Sequence, residues 1–509
     1  MTGSRAGSVA AVDLGATSGR VMHARVGART LELTEAARFA NTPVRLWEGD
    51  RAALHWNVTG LFGHVLDGLA AVARSEPGLA SIGVDSWAVD YSLLAGGRLV
   101  GEPYHYRDER TERGVSLVHG AVPPEELYRE GGLQFLPFNS VYQLAVDRDS
   151  GDLDRSDGFL LIPDLLTYWL TGERVAERTN ASTTALLAAD GRWNDRLIER
   201  LGLRRDLFPP LVDAGTGVGR LLPSLDLGFD GDGPVVTAVG SHDTASAVVA
   251  VPMDPTRAAY ISCGTWGLVG VELEHRVVSD AGRAANFTNE GGVDGRVRYL
   301  HNVMGLWLLS ESLREWQRRG LPVTLESLLT EAAALPRPAD LFDADDPRFL
   351  APGDLPGRIA GWFAERGLRA PASPAGMVRV IIESLAEAFA RTVRQAAELT
   401  GVPVETINIV GGGSRNALLC QATADRAGVP VVAGPVEATA IGNALVQARA
   451  VGFIEGDLET LRALVAATVP LTRYEPAGLR GAAGSASAAA ASASAASASA
   501  ASAPARGAH

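Results

Sequence analysis

Four short segments of the sequence combine residue types that can handle phosphate and move a proton. In Asp13-Leu-Gly-Ala-Thr-Ser-Gly-Arg20 a carboxylate ends an apolar run, and glycines with small hydroxyl residues follow. Bare backbone of this kind lets N–H groups approach an anion closely. Thr17 and Ser18 add donors and Arg20 a positive charge, while Asp13 could hold Mg2+ through water, since that ion retains several waters. An ordinary hairpin turn uses the same residues. Gly264-Thr265-Trp266-Gly267 is a second such turn, where Thr265 could donate to a phosphate from across a cleft. Gly411-Gly-Gly-Ser-Arg-Asn416 joins an apolar run to a helix, and a helix N-terminus with open backbone can hold a phosphate. A cap at Ser414 or Asn416 would satisfy the helix alone, but three glycines exceed what a cap requires. A P-loop, G-x-x-x-x-G-K-[ST], is absent, and the alternating Gly215, Gly217 and Gly219 form an unspecific pattern.

The fourth segment, Gly240-Ser-His-Asp-Thr-Ala-Ser246, offers a base. Asp243 could accept the proton of a hydroxyl as it attacks a phosphoryl group, a role in which a carboxylate mainly orients the nucleophile. His242 and Thr244 could bind that hydroxyl's carrier. Ser, Asp and Thr are equally helix caps, and a lone histidine usually makes a structural bond. Asp85-Ser-Trp-Ala-Val-Asp90 brings two carboxylates and an indole: Trp87 is either a wall beside a sugar or a core residue, with Asp90 then solvated. Arg107-Asp-Glu-Arg110 reads equally as a set of hydroxyl partners or a solvated surface turn.

These segments need strand ends and helix starts to aim them. Val9–Leu14 reads as a buried strand, Arg20–Val26 as its return and Thr30–Phe39 as a third. Thr59–Arg74 is helical, with Leu61, Val65 and Leu69 on one stripe. Leu79–Val84 is a strand, Leu160–Leu170 a helix with Pro163 in its first turn, Pro234–Gly240 a strand with a helix from about Ala245. A second unit starts near Met253 and echoes the first: strand Ala258–Cys263, the Gly264 turn, strand Leu268–Glu274. Helices over Val303–Arg319 and Met377–Leu399 and a strand over Thr406–Val410 follow, the next helix starting near Asn416. The apolar stripes on these helices are core positions. The echo suggests an ancient duplication, two α/β halves clamping a cleft whose closure would keep water from a phosphoryl transfer.

The 509 residues are enough for two or three domains of ~100–200 residues each, and 46% are hydrophobic. A net charge of −13 argues against nucleic acid as a partner. Cys263 and Cys420 are the only cysteines; they could form one disulfide but no framework and no zinc pattern, which suits a reducing cytoplasm. The apolar run Val9–Val12 is too short for a signal peptide, and no stretch of about 18 apolar residues predicts a membrane span. From Gly481 the composition collapses to Ala, Ser and Gly, an expected disordered tail.

Together and in this order, the segments resemble the FGGY carbohydrate kinases. The resemblance runs from about Val9 to about Leu471 and rests on Ala11–Met22, Gln134–Asn139, Ser241–Val248, Thr288–Gly292, Asn302–Leu309 and Val410–Gly413. It implies two actin-like, hexokinase-like (ribonuclease H-like) α/β domains, 1–252 for sugar and base and 253–475 for nucleotide, before a 476–509 tail. It implies ATP and Mg2+, with phosphorylation of a small ketose at its primary O1; L-rhamnulose is the expected substrate. Another sugar of the family (fuculose, xylulose, glycerol) and a non-metabolic actin-like ATPase are the alternatives. By resemblance Asp243 is the base, His242, Thr244 and Asn302 contact the sugar, and Ala16, Thr17, Ser18, Gly19, Arg20, Thr265, Gly411, Gly412 and Gly413 contact ATP. Two positions depart from the family's pattern: Ala88 replaces a glycine that would contact sugar, and Ser310 replaces the usual glutamine at an ATP contact. Oligomeric state is left open.

Overall fold

The computed structural model describes residues 6–478. The strand Gly7–Leu14 is a run of small and β-branched residues, buried on both faces beyond Gly7, as a strand covered on two sides must be. It pairs parallel with Ser81–Ser86 and antiparallel with Ser18–Gly27. The six-stranded sheet runs, edge to edge, Gly217–Arg220, Val235–Thr237, Ser81–Ser86, Gly7–Leu14, Ser18–Gly27, Thr30–Ala40. Ala10, Val12 and Leu14 face one core with Leu61, Val65 and Leu69 of the helix Val58–Ser75. Val9, on the opposite face, joins a second core with Val248 and Leu445.

The second half repeats the arrangement. Ala258–Cys263 pairs antiparallel with Trp266–Leu273 and parallel with Thr406–Val410. Its seven-stranded sheet runs Thr288–Gly291, Val297–Met304, Trp266–Leu273, Ala258–Cys263, Thr406–Val410, Val431–Ala433, Thr472–Tyr474. The long helix Pro374–Thr400 buries Met377, Ile381, Leu385 and Phe389 against it. Gly267 permits that approach, because a Cβ there would lie 2.6 Å from the Phe389 ring.

One helix of the second half, Ala438–Ala450, crosses over and covers the first sheet. Asn443 Nδ2 donates to Asp85 Oδ2 at 2.5 Å and Gln447 Nε2 to Ala10 O at 3.0 Å. It also packs on the helix Asp243–Val249 at Gly442, where a Cβ would sit 1.8 Å from Ser246 O. Backbone-to-backbone contact this close is open only to glycine.

The structure moves several expected boundaries. Leu160 and Leu161 belong to a strand, Gly158–Leu161, paired with Tyr91–Ala95; the helix is Ile162–Thr171. Asn302 and Val303 likewise lie on the strand Val297–Met304, and the helix starts only at Trp307. In both places the ladder to a neighbouring strand takes residues whose apolar spacing also suits a helix. Arg107–Arg110 is no solvated turn: Asp108 is buried, Arg110 pairs with Asp147, and Arg107 donates across to Leu350 O at 2.6 Å. Nor is Asp90 solvated; it is 1% exposed. Cys263 and Cys420 are both buried and free, so the possible disulfide is not formed. The expected tail from Gly481 lies outside the described residues. Among the described residues no helix is long and apolar enough to cross a membrane.

Candidate active site

The central strands of both sheets end at one cavity of about 780 Å³. Gly7–Leu14 delivers Asp13 to it, Ser81–Ser86 leads into Trp87 and Ala88, and the loop after Val235–Thr237 delivers His242 and Asp243. From the other half come Thr265, after Ala258–Cys263, and Gly411 and Gly412, after Thr406–Val410. A residue that ends a buried strand must point its side chain or backbone into whatever space lies beyond the sheet, which is why function gathers there.

Asp243 opens the helix Asp243–Val249, and the turn before it is tied down by buried groups. Glu177 Oε2 accepts from Ser241 N at 3.0 Å and Ser241 Oγ at 2.9 Å, while Ser86 N donates to Ser241 O at 2.9 Å. Asp243 Oδ1 receives the Thr244 hydroxyl at 3.1 Å and lies 3.4 Å from His242 Nε2. Thr244 is therefore already occupied by the carboxylate beside it.

Asp13 is held by Arg20, opposite it in the hairpin register, through Nε at 3.0 Å and Nη2 at 2.8 Å. Arg20 reaches also to Glu437, so one guanidinium joins the two halves. Burial raises the Asp13 carboxyl above its ordinary value; Arg20 opposes that rise and the negative field of Asp243 adds to it. Burial pushes Asp85 further, well above the usual carboxylate range, with Asp13 adding and the Asn443 bond opposing. Asp13 and Asp243 line the cavity with Asp85 buried beside them, an arrangement that raises affinity for protons or cations. Among the described residues no group of three or more His, Cys, Asp or Glu is set to hold a metal by itself. The donors suit Mg2+ bound mostly by water and phosphate oxygens, with a carboxylate such as Asp13 at the rim.

The second half brings a hydroxyl and glycine backbone at its strand ends, with Arg314, Arg415 and Glu437 also lining the cavity. Gly411 has φ +76, and a Cβ on it would lie 3.1 Å from Cys263 O. Gly413 could carry no side chain, since its Cβ would meet Cys263 Sγ at 2.3 Å. Open backbone beside the Thr265 hydroxyl is suited to a polyphosphate chain. Behind the wall formed by Trp87 and Ala88, Asp90 accepts from Gln143 Nε2 at 2.8 Å, Trp56 Nε1 at 2.5 Å, Tyr106 N at 3.1 Å and Trp87 Nε1 at 3.1 Å. Burial nevertheless pushes its carboxyl up to about 7. Trp87, at once core and wall, is fixed by this carboxylate. Val89 takes φ +69, strained for a β-branched residue, and Ser140 Oγ anchors its carbonyl at 2.5 Å.

Residues 9–250 match the model of the FGGY family of carbohydrate kinases, N-terminal domain, and residues 259–451 match the C-terminal domain. The chain belongs to the FGGY family of carbohydrate kinases. Among relatives of this FGGY kinase, the rhamnulokinase of Pectobacterium carotovorum subsp. carotovorum is 42% identical over 480 residues, covering 92% of this chain and 93% of that one. The rhamnulokinase of Bacteroides thetaiotaomicron is 39% identical over 471 residues, covering 92% and 95%. Solved structures of the same fold include a gluconate kinase from Lactobacillus acidophilus, with TM-score 0.74, 15% identity and coverage of 93% and 94%. Plasmodium falciparum glycerol kinase with ADP gives TM-score 0.72, 13% identity and coverage of 93% and 95%. The fold is accordingly the two-domain actin-like, ribonuclease H-like α/β architecture.

In this FGGY kinase the cavity gathers Asp13, Ala16, Thr17, Ser18, Arg20, Ala88, His242, Asp243, Thr244, Thr265, Asn302, Ser310, Gly411 and Gly412. Gly19 is not among the lining residues: it faces the sheet, and a Cβ there would meet the Phe39 ring at 2.2 Å. Asn302 is gripped by Gln134 Oε1, which accepts from its N and Nδ2, both at 2.9 Å. Gln134 and Glu437 are lining residues that the motifs did not assign a role. Gln134 lies within the phrase Gln134–Asn139, so a signal existed; Glu437 follows no motif.

Proposed function

We propose that this enzyme transfers the γ-phosphoryl group of ATP, with Mg2+, to O1 of L-rhamnulose, giving L-rhamnulose 1-phosphate and ADP in the cytoplasm as a step of L-rhamnose catabolism. The observation that carries it is the meeting of Asp243 from one half with Thr265, Gly411 and Gly412 from the other across a single cavity. Relatives bearing the name rhamnulokinase, alike over nearly the whole chain, support the choice of ketose.

In this reading Asp243 accepts the O1 proton as O1 attacks the γ-phosphorus, and the bond to the β,γ-bridging oxygen breaks in line. Thr265 and the Gly411–Gly412 backbone hold the phosphate chain, with Thr17, Ser18 and Arg20 donating from the facing turn. Asp13 would hold Mg2+ through water, and the ion would supply neutralising charge to the phosphates. Asn302 and His242 contact sugar hydroxyls, with Ala88 and Trp87 forming the adjacent wall. Exclusion of water is served by the Arg107 bridge, whose guanidinium lies 5.4 Å from the Trp266 ring centre and 4.5 Å from that of Trp307.

A panel of ketoses and glycerol in a coupled ADP-release assay tests the assignment. L-Rhamnulose should give the highest kcat/KM; preference for L-xylulose, L-fuculose or glycerol would replace the substrate, and sugar-independent ATP turnover would replace the reaction class.

A further inference from the structure

The imidazole of His242 faces opposite kinds of partner at its two nitrogens. Nδ1 lies 3.0 Å from Arg298 Nη2, and Nε2 lies 3.4 Å from Asp243 Oδ1. A guanidinium has donors only and keeps its charge at any working pH, whereas a carboxylate accepts. Nδ1 must therefore present its lone pair to Arg298, and the ring proton must reside on Nε2.

Arg298 is fixed tightly enough to impose this. It is fully buried, its Nε donates to Gly291 O at 2.9 Å, and its Nη1 stands 3.1 Å from Glu290 Oε2. Burial would raise Glu290, but Arg298 above all holds its carboxyl below the usual value. The rival arrangement is an Nδ1–H donated to Glu290 Oε2, 3.3 Å away. It would set that hydrogen against an arginine N–H at 3.0 Å and leave Nε2 as a lone pair facing a carboxylate.

We propose that Arg298 is a positioning residue of this kinase. It fixes His242 as the Nε2–H tautomer, so that the ring meets Asp243 and a sugar oxygen as a hydrogen-bond donor and never as a competing base. Arg298 and Glu290 lie on Val297–Met304 and Thr288–Gly291 of the second half, whereas His242 caps a helix of the first. The proton's place is thus set by a contact between the halves.

The test is nitrogen NMR of the full chain labelled with 15N-histidine. The sequence has nine histidines, and the His242 signals are assigned by their absence in His242→Gln. At neutral pH the wild type should show a protonated Nε2 and a bare Nδ1. Glu290→Gln, which keeps the arginine donor, should preserve that pattern. Arg298→Met combined with Glu290→Leu removes the donor without leaving an isolated buried charge or a substitute amide donor. It should abolish the single tautomer and lower kcat/KM for the ketose by up to roughly 10²-fold through misorientation, with KM for ATP unchanged. Should the double variant fail to fold, Arg298→Lys, whose ammonium is also donor-only, should keep the Nε2–H form, and loss of that form there overturns the proposal. An imidazolium or Nδ1–H form in the wild type, reversal of the tautomer by Glu290→Gln alone, or a folded double variant that retains the Nε2–H form overturns the proposal, whatever happens to activity. The kinetic arm alone rests on the kinase reaction proposed above; the tautomer stands or falls even if another substrate is found.

Discussion

The hairpins that open the two halves share a frame and differ in chemistry. Each is a strand paired antiparallel with its successor and parallel with a later strand of its sheet. At the first, the strand ends carry Asp13 and Asp85, with Arg20 clasping Asp13. At the second, the corresponding ends carry Thr265 and Gly411–Gly413 and no charge. A frame used twice thus offers one lip with carboxylates at its strand ends, suited to cations and protons, and one of hydroxyl and open backbone, suited to a polyphosphate. Backbone specifies the fold in both; only the turn residues divide the labour.

The largest break in this division should come from Asp243→Asn, which removes the base proposed above. We expect kcat to fall by about 10²–10⁴, the usual contribution of a positioned base, in a variant whose melting temperature is little altered. A near-normal turnover would transfer that role elsewhere. Asp13→Asn should raise the Mg2+ concentration for half-maximal rate by roughly tenfold or more, the scale of a lost hydrogen bond to a charged group. An unchanged metal titration would remove Asp13 from the metal's surroundings. On the second lip, Gly411→Ala places a side chain at φ 76, ψ −162, a region essentially reserved for glycine, at a cost of about 1–3 kcal/mol, so KM for ATP should rise while KM for the ketose holds. The reverse split would mean that the lips are wrongly assigned.

Two smaller tests concern the wall between them. Burial holds the Asp90 carboxyl near 7 in the folded chain, above its ordinary value. The stability it contributes is present at pH below about 4 and is lost as pH rises through about 7. The melting temperature of Asp90→Asn relative to wild type should therefore climb between those values; a flat difference would contradict the burial effect. Ala88→Gly removes one methyl from the wall proposed to face the sugar, a change of about 0.8 kcal/mol. A shift below roughly fivefold in KM for the ketose is expected, and a larger one would make Ala88 a principal determinant of substrate choice.

What the sequence makes legible follows from local physics. Gly7–Leu14 is readable because a strand buried on two faces needs an unbroken apolar run, and Asp13 is conspicuous because it interrupts one. Pro374–Thr400 is readable because its buried stripe keeps helical spacing over many turns. Val297–Met304 is not, because the helical spacing of Leu306, Leu309, Leu313 and Trp316 reads back as far as Val303, and only the ladder to Trp266–Leu273 decides between them. Arg298 escapes for the same reason. A charge in an unassigned segment looks solvated, whereas on a central strand it must be buried and paired. The Arg20–Glu437 and Arg107–Leu350 links join residues hundreds of positions apart, which no local pattern encodes.

The crossing of Ala438–Ala450 onto the first sheet has a practical corollary for anyone dissecting this enzyme. A fragment ending near residue 252 would lack Gly442, Asn443 and Gln447, uncovering Val9 and Val248 and stranding the Asp85 carboxylate without its amide partner. Such a piece should be sticky and poorly behaved. Supplying the missing helix as a peptide, or permuting the chain so that it precedes Gly7, is the rational route to a stand-alone amino-terminal lobe.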